Sequence, residues 1–302
     1  VKSLTTEERQ TIDRAIKEAV DSVEQRMSTF NPESELSRFN GSLDPGPFAL
    51  SPDTIRVLEI AQQVHALSGG AFDPTVGPLV DVWGFGPKKV EGGPSAAEIA
   101  PLLDEVGFDN IVVDSKGKSA SKLLPSVRVD LSGIAKGFAV DQVAASLLEL
   151  GYADFMIEIG GETVVHGESE KGRPFRIGVE RPTVGGGRTL LDVLILTDLA
   201  VATSGDYRNY REVDGKRVSH TIDPRTGRPI DHRLASVSVV HESCTFADAM
   251  ATALNVLGPE AGMALARSEK LAAQFVVRTA HGEFESHATQ SFKGLLVGQD
   301  KE

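Results

Sequence analysis

The chain has 302 residues, with 31 Lys plus Arg against 43 Asp plus Glu, so its formal net charge is −12. Apolar residues at 40% and charged residues at 25% are typical of a globular protein, and no run of about 20 apolar residues is present to cross a bilayer. The acidic balance argues against broad nucleic-acid binding, and the single cysteine, Cys244, excludes an internal disulfide framework or a cysteine-rich metal site.

Three helices are predicted in the first third of the chain. Residues 6–27 carry apolar side chains at steps of three and four, which is the spacing of one helix face. The Ser-Pro-Asp sequence at 51–53 predicts the start of a second helix, and the glycine pair at 69–70 predicts its end. A capping box at 95–98 predicts a short third helix.

Strand patterns predominate after residue 108. Short runs rich in β-branched and aromatic residues predict strands at 110–114, 127–130, 155–159, 175–180, 190–196, 200–203, 236–240 and 274–278. The glycine run at 185–187 predicts a turn between two of these strands.

Helical patterns are interspersed with these strands. One at 134–150 follows the predicted strand 127–130 and precedes another strand, which predicts a strand–helix–strand unit. Two more are predicted at 247–257 and 259–267. The mixture indicates an α+β fold in which mixed sheets pack with helices, as a single body over 1–302 with one or two lobes.

A loop rich in Pro and Gly is the first candidate site. It presents Asp73 and neighbouring amides from a rigid backbone. The carboxylate either contacts a ligand or caps the amides of Thr75 or Val76, as Asx turns do. Trp83 and Phe85 follow, and they either stack on a flat ligand or anchor the core. The sequence leaves both alternatives open.

The segment at 130–137 joins a predicted strand to a helix. Backbone amides at a helix N-terminus attract anions, and Lys136 in the first turn can reach a phosphate. The segment lacks the glycine spacing of a Walker loop or a dinucleotide-binding loop. The alternative is that Ser132 caps the helix and Lys136 is a solvated surface residue.

The polar segment at 219–229 holds His220, Asp223 and two arginines. An imidazole is the default general base because it titrates near neutral pH. The alternative is that His220 only donates or accepts a structural hydrogen bond and that residues 223–227 form a turn.

Asp248 and Thr252 stand four residues apart on a predicted helix, so their oxygens share one face. A carboxylate and a hydroxyl without an imidazole or a thiolate suit a hard cation such as Mg²⁺. The alternative is an Asp that complements the helix dipole beside an exposed Thr.

Taken in this order, the segments resemble the ApbE family of FAD:protein FMN transferases. The resemblance lies in residues 27–40 (MSTFNPESELSRFN), 70–79 (GAFDPTVGPL), 83–85 (WGF), 130–137 (DLSGIAKG), 158–162 (EIGGE), 219–229 (SHTIDPRTGRP) and 247–253 (ADAMATA). The matching region runs over about 27–257, which is most of the chain.

The resemblance implies an ApbE-like, T-fold-like α+β fold and an Mg²⁺-dependent transfer of FMN from FAD to a Thr or Ser hydroxyl of an acceptor protein, with release of AMP. It implies FAD contacts from Ala71, Phe72, Asp73, Asp130, Lys136 and Ile222. Phe30 stands where many relatives have a Tyr over the flavin, so it keeps the stacking surface without the hydroxyl. The implied metal ligands are Asp248, Thr252 and the carbonyl of Gly133, and Asp248 and His220 are the implied catalytic residues, with His220 as the base.

The resemblance also implies a periplasmic or other extracytoplasmic location and an acceptor in a membrane electron-transfer system. The chain begins at Val1 without Met or a signal pattern, which we interpret as a trimmed or mature form that lacks a first family strand. Two alternatives to the transferase are an FAD pyrophosphatase with water as the acceptor and a non-catalytic flavin-binding protein.

Overall fold

The computed structural model describes residues 4–298 except 87–89, 91, 183–188, 206–209 and 214–215. The glycine turn predicted at 185–187 lies outside the described residues. The helices are α1 (Thr6–Met27), α2 (Glu35–Gly41), α3 (Pro52–Ser68), α4 (Gly77–Val82), α5 (Ala96–Leu103), α6 (Ala135–Glu149), α7 (Cys244–Ser268) and α8 (Gln290–Lys293). Across the described ranges, no helix is long and apolar enough to span a membrane.

The strands are concentrated in the second half of the chain. They are β1 (Phe48–Ala49), β2 (Ile111–Asp114), β3 (Ser119–Lys122), β4 (Phe155–Ile159), β5 (Glu162–His166), β6 (Phe175–Glu180), β7 (Leu190–Leu196), β8 (Leu199–Gly205), β9 (Tyr210–Val213), β10 (Lys216–Ser219), β11 (Ile222–Asp223), β12 (Arg228–Pro229), β13 (Leu234–His241), β14 (Ala272–Arg278) and β15 (Phe284–Ala288).

The three predicted N-terminal helices are confirmed, as are the predicted capping box of the third and the glycine end of the second, and the structure adds a capping box at the start of the first. Thr5 forms a capping box with Glu8 at the start of α1, and Ser95 forms one with Glu98 at the start of α5. Gly69, in the left-handed region at φ 59°, ends α3. These ends are local in origin, which is why the sequence alone predicts them.

A six-stranded antiparallel sheet in the order β15-β14-β13-β8-β5-β4 forms the central layer. Helices α6 and α7 pack against each other and against this sheet, and α1 and α3 cover them from outside. On the other face, the β6–β7 hairpin buries Val179 and Leu194 against Val201 and Val240 of the sheet. The predicted α+β fold is therefore confirmed.

Helix α7 is the element on which the site depends most. Asp141 of α6 accepts hydrogen bonds from the N–H groups of Cys244 and Thr245, each at 2.9 Å, so a carboxylate from one helix fixes the start of the other. Gly258 (φ 77°) interrupts α7 just before Pro259, which confirms the two helical segments predicted on either side.

The strand predicted at 127–130 is wrong. The segment belongs to no sheet, because Val129 pairs with a side chain and Asp130 with a loop carbonyl. Val129 donates to Asn40 Oδ1 at 2.7 Å and accepts from Asn40 Nδ2 at 2.8 Å, while Asp130 N–H donates to the Pro74 carbonyl at 2.6 Å. Because one Asn amide satisfies both groups of Val129, α6 follows a loop and the strand–helix–strand unit does not form.

Candidate active site

One cavity of about 1220 Å³ gathers residues from distant segments of the chain. Its wall comes from the loops at 71–76 and 130–136, from β4 and β6, from the turn before β11 and from α7. It is lined by every predicted site residue: Phe30, Ala71, Phe72, Asp73, Asp130, Gly133, Lys136, His220, Ile222, Asp248 and Thr252. Pockets for drug-sized ligands measure about 300–1,000 Å³, so this one has room for a dinucleotide.

Gly137, in the first turn of α6, lets that helix lie directly against α7. A Cβ on Gly137 would stand 2.3 Å from the Cys244 carbonyl oxygen and 2.8 Å from Asp248 Cβ. At this close approach, the Gly137 N–H donates a hydrogen bond to Asp248 Oδ2 at 2.9 Å. A Cβ on Gly133 would lie 3.5 Å from Thr252 Oγ1. Close packing thus requires a glycine at 137, whereas at 133 a Cβ would be in ordinary contact with Thr252.

A lysine lies between two buried carboxylates at this contact. Lys136 Nζ is 2.5 Å from Glu162 Oε1 and 3.9 Å from Asp248 Oδ1. Glu162 is 1% exposed and Asp248 is 3% exposed. The Lys136 side chain is itself 46% exposed, so it is partly solvated at the cavity wall while it pairs with the buried Glu162.

The charges at this cluster do not balance. Burial is the larger cause and the charge of Asp248 the next one that raises the pKa of Glu162 to about 7. Burial also raises the pKa of Asp248. Burial lowers the pKa of Lys136, but the charges of Asp248 and Glu162 outweigh that effect and leave it raised. Two buried carboxylates share one ammonium, so an additional cation would stabilise this wall.

The predicted magnesium ligands lie on the same wall. Asp248 and Thr252 are one turn apart on α7, and the loop residue Gly133 packs against Thr252. Thr252 Oγ1 is also 3.2 Å from Ser204 Oγ. Within the described ranges no group of three or more His, Cys, Asp and Glu side chains could hold a metal ion. A cation here would rely on one carboxylate with hydroxyl and carbonyl oxygens, a hard donor set that fits Mg²⁺.

His220 lies in the turn between β10 and β11. Its ring packs edge-on against Phe85, with 6.4 Å between ring centroids. The next residues form a tight hairpin in which Ile222 is buried and the guanidinium of Arg225 donates to Asp223 from Nε and Nη2, each at 2.8 Å. The predicted turn is confirmed, and Asp223 stabilises the hairpin while His220 faces the cavity.

For Asp73 and Trp83 the structural alternatives are confirmed. Asp73 Oδ1 accepts from the Thr75 N–H at 2.7 Å, and Asp73 Oδ2 accepts from the Phe108 N–H at 3.0 Å. Trp83 is buried, and its Nε1–H donates to the Gly227 carbonyl at 2.8 Å. Asp73 nevertheless also lines the cavity, so its loop is held rigid where a ligand would bind.

Asp130 shapes the loop that carries Gly133. Its Oδ1 accepts from the N–H of Ser132 at 2.9 Å and from the Ser132 hydroxyl. Helix α6 has Ile134 at its N-cap position and no side-chain cap, so the alternative in which Ser132 caps the helix is wrong. The Ser132 hydroxyl is occupied by Asp130 two residues earlier, which is the local pairing that competes with capping.

Two exposed apolar side chains border the cavity. Phe30 is 70% exposed and Met156 is 54% exposed, and both contribute to the lining. A ligand with a flat ring would cover such surface, and the Phe30 ring can contribute stacking but no hydrogen bond.

Two lining or adjoining residues were missed by the sequence analysis. Glu162 is the last residue of the EIGGE segment. The sequence signal beside it is the glycine pair at 160–161, which has positive φ (66° and 107°) and forms the turn between β4 and β5. Arg211 donates to the Trp83 carbonyl at 2.5 Å and lies 5.9 Å from the Phe85 ring centroid. No sequence signal marks Arg211, because its partners are more than 100 residues away.

Comparison with known proteins gives one consistent family. The model described as the ApbE family matches residues 1–275. The FAD:protein FMN transferase of Vibrio cholerae is 44% identical over 296 residues, 98% of this chain and 85% of that protein, and that of Haemophilus influenzae is 43% identical over 277 residues, 90% and 80%. The solved flavin transferase ApbE from Vibrio cholerae superimposes with a TM-score of 0.88 at 40% identity, covering 98% of this chain and 93% of that one. This chain belongs to the ApbE family.

Proposed function

We propose that this chain is an FAD:protein FMN transferase. The observation that carries the proposal is that one cavity is lined by a potential base, His220, a lysine, Lys136, and a group of hard oxygen donors that includes Asp248. Relatives that carry this name and cover nearly the whole chain support it.

The reaction is a phosphoryl transfer at the flavin-side phosphorus of FAD. The acceptor hydroxyl oxygen forms a bond to that phosphorus, the anhydride bond to AMP breaks, and AMP leaves with the bonding electron pair. A Thr or Ser hydroxyl is a weak nucleophile, so His220 takes its proton as the new bond forms. Lys136 contributes positive charge beside the phosphate oxygens.

In this proposal Mg²⁺ is held by the carboxylate of Asp248, the hydroxyl of Thr252 and the carbonyl of Gly133. When bound, the ion neutralises negative charge on the pyrophosphate oxygens. The protein's own contribution is to keep the oxygens together: the Gly137 N–H orients the Asp248 carboxylate, and the close approach of the loop to α7 brings Gly133 beside Thr252.

An intact-mass experiment tests the function. The protein is incubated with FAD, Mg²⁺ and a peptide that carries a Thr or a Ser flanked by small residues, and the peptide is weighed. A peptide that gains one FMN phosphoryl group, with AMP in solution, supports the transferase. Free FMN plus AMP with an unmodified peptide would indicate the pyrophosphatase, and unchanged FAD would indicate a binding protein.

The role of His220 is tested by separating binding from chemistry. His220→Ala should leave FAD affinity nearly unchanged and lower the single-turnover transfer rate by about 10²–10⁴-fold, because a base contributes little to ground-state binding. His287→Ala, at a mostly exposed position on β15, is the matched control and should change neither quantity. A parallel fall in affinity and rate would make His220 a residue that only orders the loop.

We also propose that the protein acts outside the cytosol on an acceptor of a membrane electron-transfer system. The support is the family resemblance. Fractionation of cells that produce the full natural protein tests the location: recovery only with cytosolic markers would refute it.

A further inference from the structure

A buried amide in the cavity wall has an unused hydrogen-bonding group. Asn255 lies on α7 one turn after Thr252, is 1% exposed and contributes to the cavity lining. Its Nδ2 donates to Thr221 Oγ1 at 3.3 Å, but its Oδ1 is buried with no hydrogen-bond partner in the described part of the chain. A buried acceptor left unsatisfied costs about 1–3 kcal/mol, so a ligand that supplies a donor would be favoured.

The surroundings of Asn255 indicate the kind of ligand group. The neighbouring lining residues Ile222 and Val256 are buried and apolar, and the Phe85 ring lines the same cavity. Pockets with apolar walls and one fixed polar group suit the edge of a flat heterocycle. The Asn255 main-chain carbonyl accepts from His232 Nε2 at 2.8 Å, which anchors this part of the helix behind the amide.

We propose that Asn255 is a specificity-determining residue whose side-chain oxygen accepts a hydrogen bond from an N–H donor on one of the two flat ring systems of the dinucleotide, an inference that rests on the proposed function. FAD offers two such donors, the exocyclic amine of adenine and the N3–H of the isoalloxazine. The Thr221 hydroxyl accepts from the amide nitrogen, which fixes which end of the amide is left without a partner. A site that presents a buried acceptor discriminates against analogues that lack the donor, because the acceptor then stays unpaired.

The test compares three ligands by flavin fluorescence titration: FAD, FAD with hypoxanthine in place of adenine, and FAD methylated at N3. The wild-type protein should bind one of the two analogues about tenfold more weakly than FAD, and which one identifies the ring at Asn255. Asn255→Leu should bind FAD about tenfold more weakly and lose the discrimination, whereas Asn255→Asp, which keeps the oxygen, should retain it.

A matched control is available in the same fold. Gln274 on β14 is also buried, at 2% exposed, and its Oε1 likewise has no partner among the described residues, but it does not contribute to the cavity lining. Gln274→Leu should lower stability and leave all three affinities unchanged.

The outcomes separate this inference from the proposed function. Equal wild-type affinity for all three ligands, or an Asn255→Leu variant that still discriminates, would overturn the inference even if the protein transfers FMN. Tighter binding of an analogue that has a hydrogen-bond acceptor in place of the N–H donor would also overturn the inference. Discrimination that depends on Asn255 in a protein that transfers no FMN would support the inference and refute the transferase.

Discussion

Gly137→Ala should both destabilise the protein and slow its reaction, because the added Cβ has no space between α6 and α7. The Cβ would lie 2.3 Å from the Cys244 carbonyl oxygen, 2.7 Å from the Cys244 carbonyl carbon and 2.8 Å from Asp248 Cβ. These atoms belong to backbone or lie next to it, so the helices must separate by about 1 Å to reach ordinary contact distance.

The expected magnitude follows from three contributions. Overpacking costs about 1–3 kcal/mol, and the higher helix propensity of Ala returns about 1 kcal/mol. Separation also weakens the buried hydrogen bond from Gly137 N–H to Asp248, and bonds to charged groups contribute about 1.5–3 kcal/mol. The free energy of unfolding should fall by about 2–4 kcal/mol. Because a displacement of 1 Å at a reacting centre can cost about 10²-fold, transfer should slow by a similar factor.

Urea unfolding and single-turnover transfer measure the two effects. Gly41→Ala is the matched control, since Gly41 is also helical and a Cβ there meets no atom within 4 Å. It should leave transfer unchanged and raise stability by up to about 1 kcal/mol. If Gly137→Ala behaved like Gly41→Ala, the close contact between α6 and α7 would not be what holds Asp248 in place.

Three further changes have distinct expected results. Asp248→Asn should keep the fold but lower transfer by at least about 10²-fold, measured at saturating FAD, because it removes the only carboxylate of the proposed metal ligands. Glu162→Gln, measured without divalent cations, should flatten the pH dependence of the free energy of unfolding. The pKa of Glu162 rises from 4.5 to about 7 on folding, so its protonated form stabilises the native state at low pH. That stabilisation, at most about 3 kcal/mol, is lost as the pH rises from 4.5 to about 7. Cys244→Ser should leave transfer within about twofold, because the thiol is buried, burial raises its pKa and it remains neutral.

A specific result for each variant would contradict its prediction. Normal turnover of Asp248→Asn at ordinary Mg²⁺ would remove Asp248 from the metal ligands. Parallel stability curves for the wild type and Glu162→Gln would mean that Glu162 titrates alike in the folded and unfolded chains. Loss of transfer in a stable Cys244→Ser protein would point to thiol chemistry.

The sequence predicted the parts of this fold that depend on local signals. The capping box at Thr5 and the left-handed Gly69 act within a few residues, and both helix ends are where the sequence predicts them. The strand predicted at 127–130 failed because Asn40, nearly 90 residues away, satisfies the backbone of Val129. β-strand propensity can predict that a segment is extended, but it does not predict which group the backbone of that segment will pair with.

In the candidate site too, the sequence predicted what local motifs specify and missed what tertiary contacts decide. The candidate residues share one cavity, as the resemblance of their motifs to one family implies. The burial of Glu162 beside Lys136 and the unpaired oxygen of Asn255 were not predicted, because burial and pairing are set by tertiary contacts. Of the residues in this account, these two depend most on the three-dimensional structure.

The most direct test of the central claim is a single turnover in water enriched in ¹⁸O, with FAD, Mg²⁺ and the acceptor peptide, followed by mass analysis of every phosphate product. If the acceptor hydroxyl attacks the flavin-side phosphorus, the peptide gains FMN, one AMP appears for each modified peptide, and neither product contains ¹⁸O. Appearance of ¹⁸O in FMN or in AMP would mean that water is the nucleophile, and it would contradict the assignment of this cavity to FMN transfer.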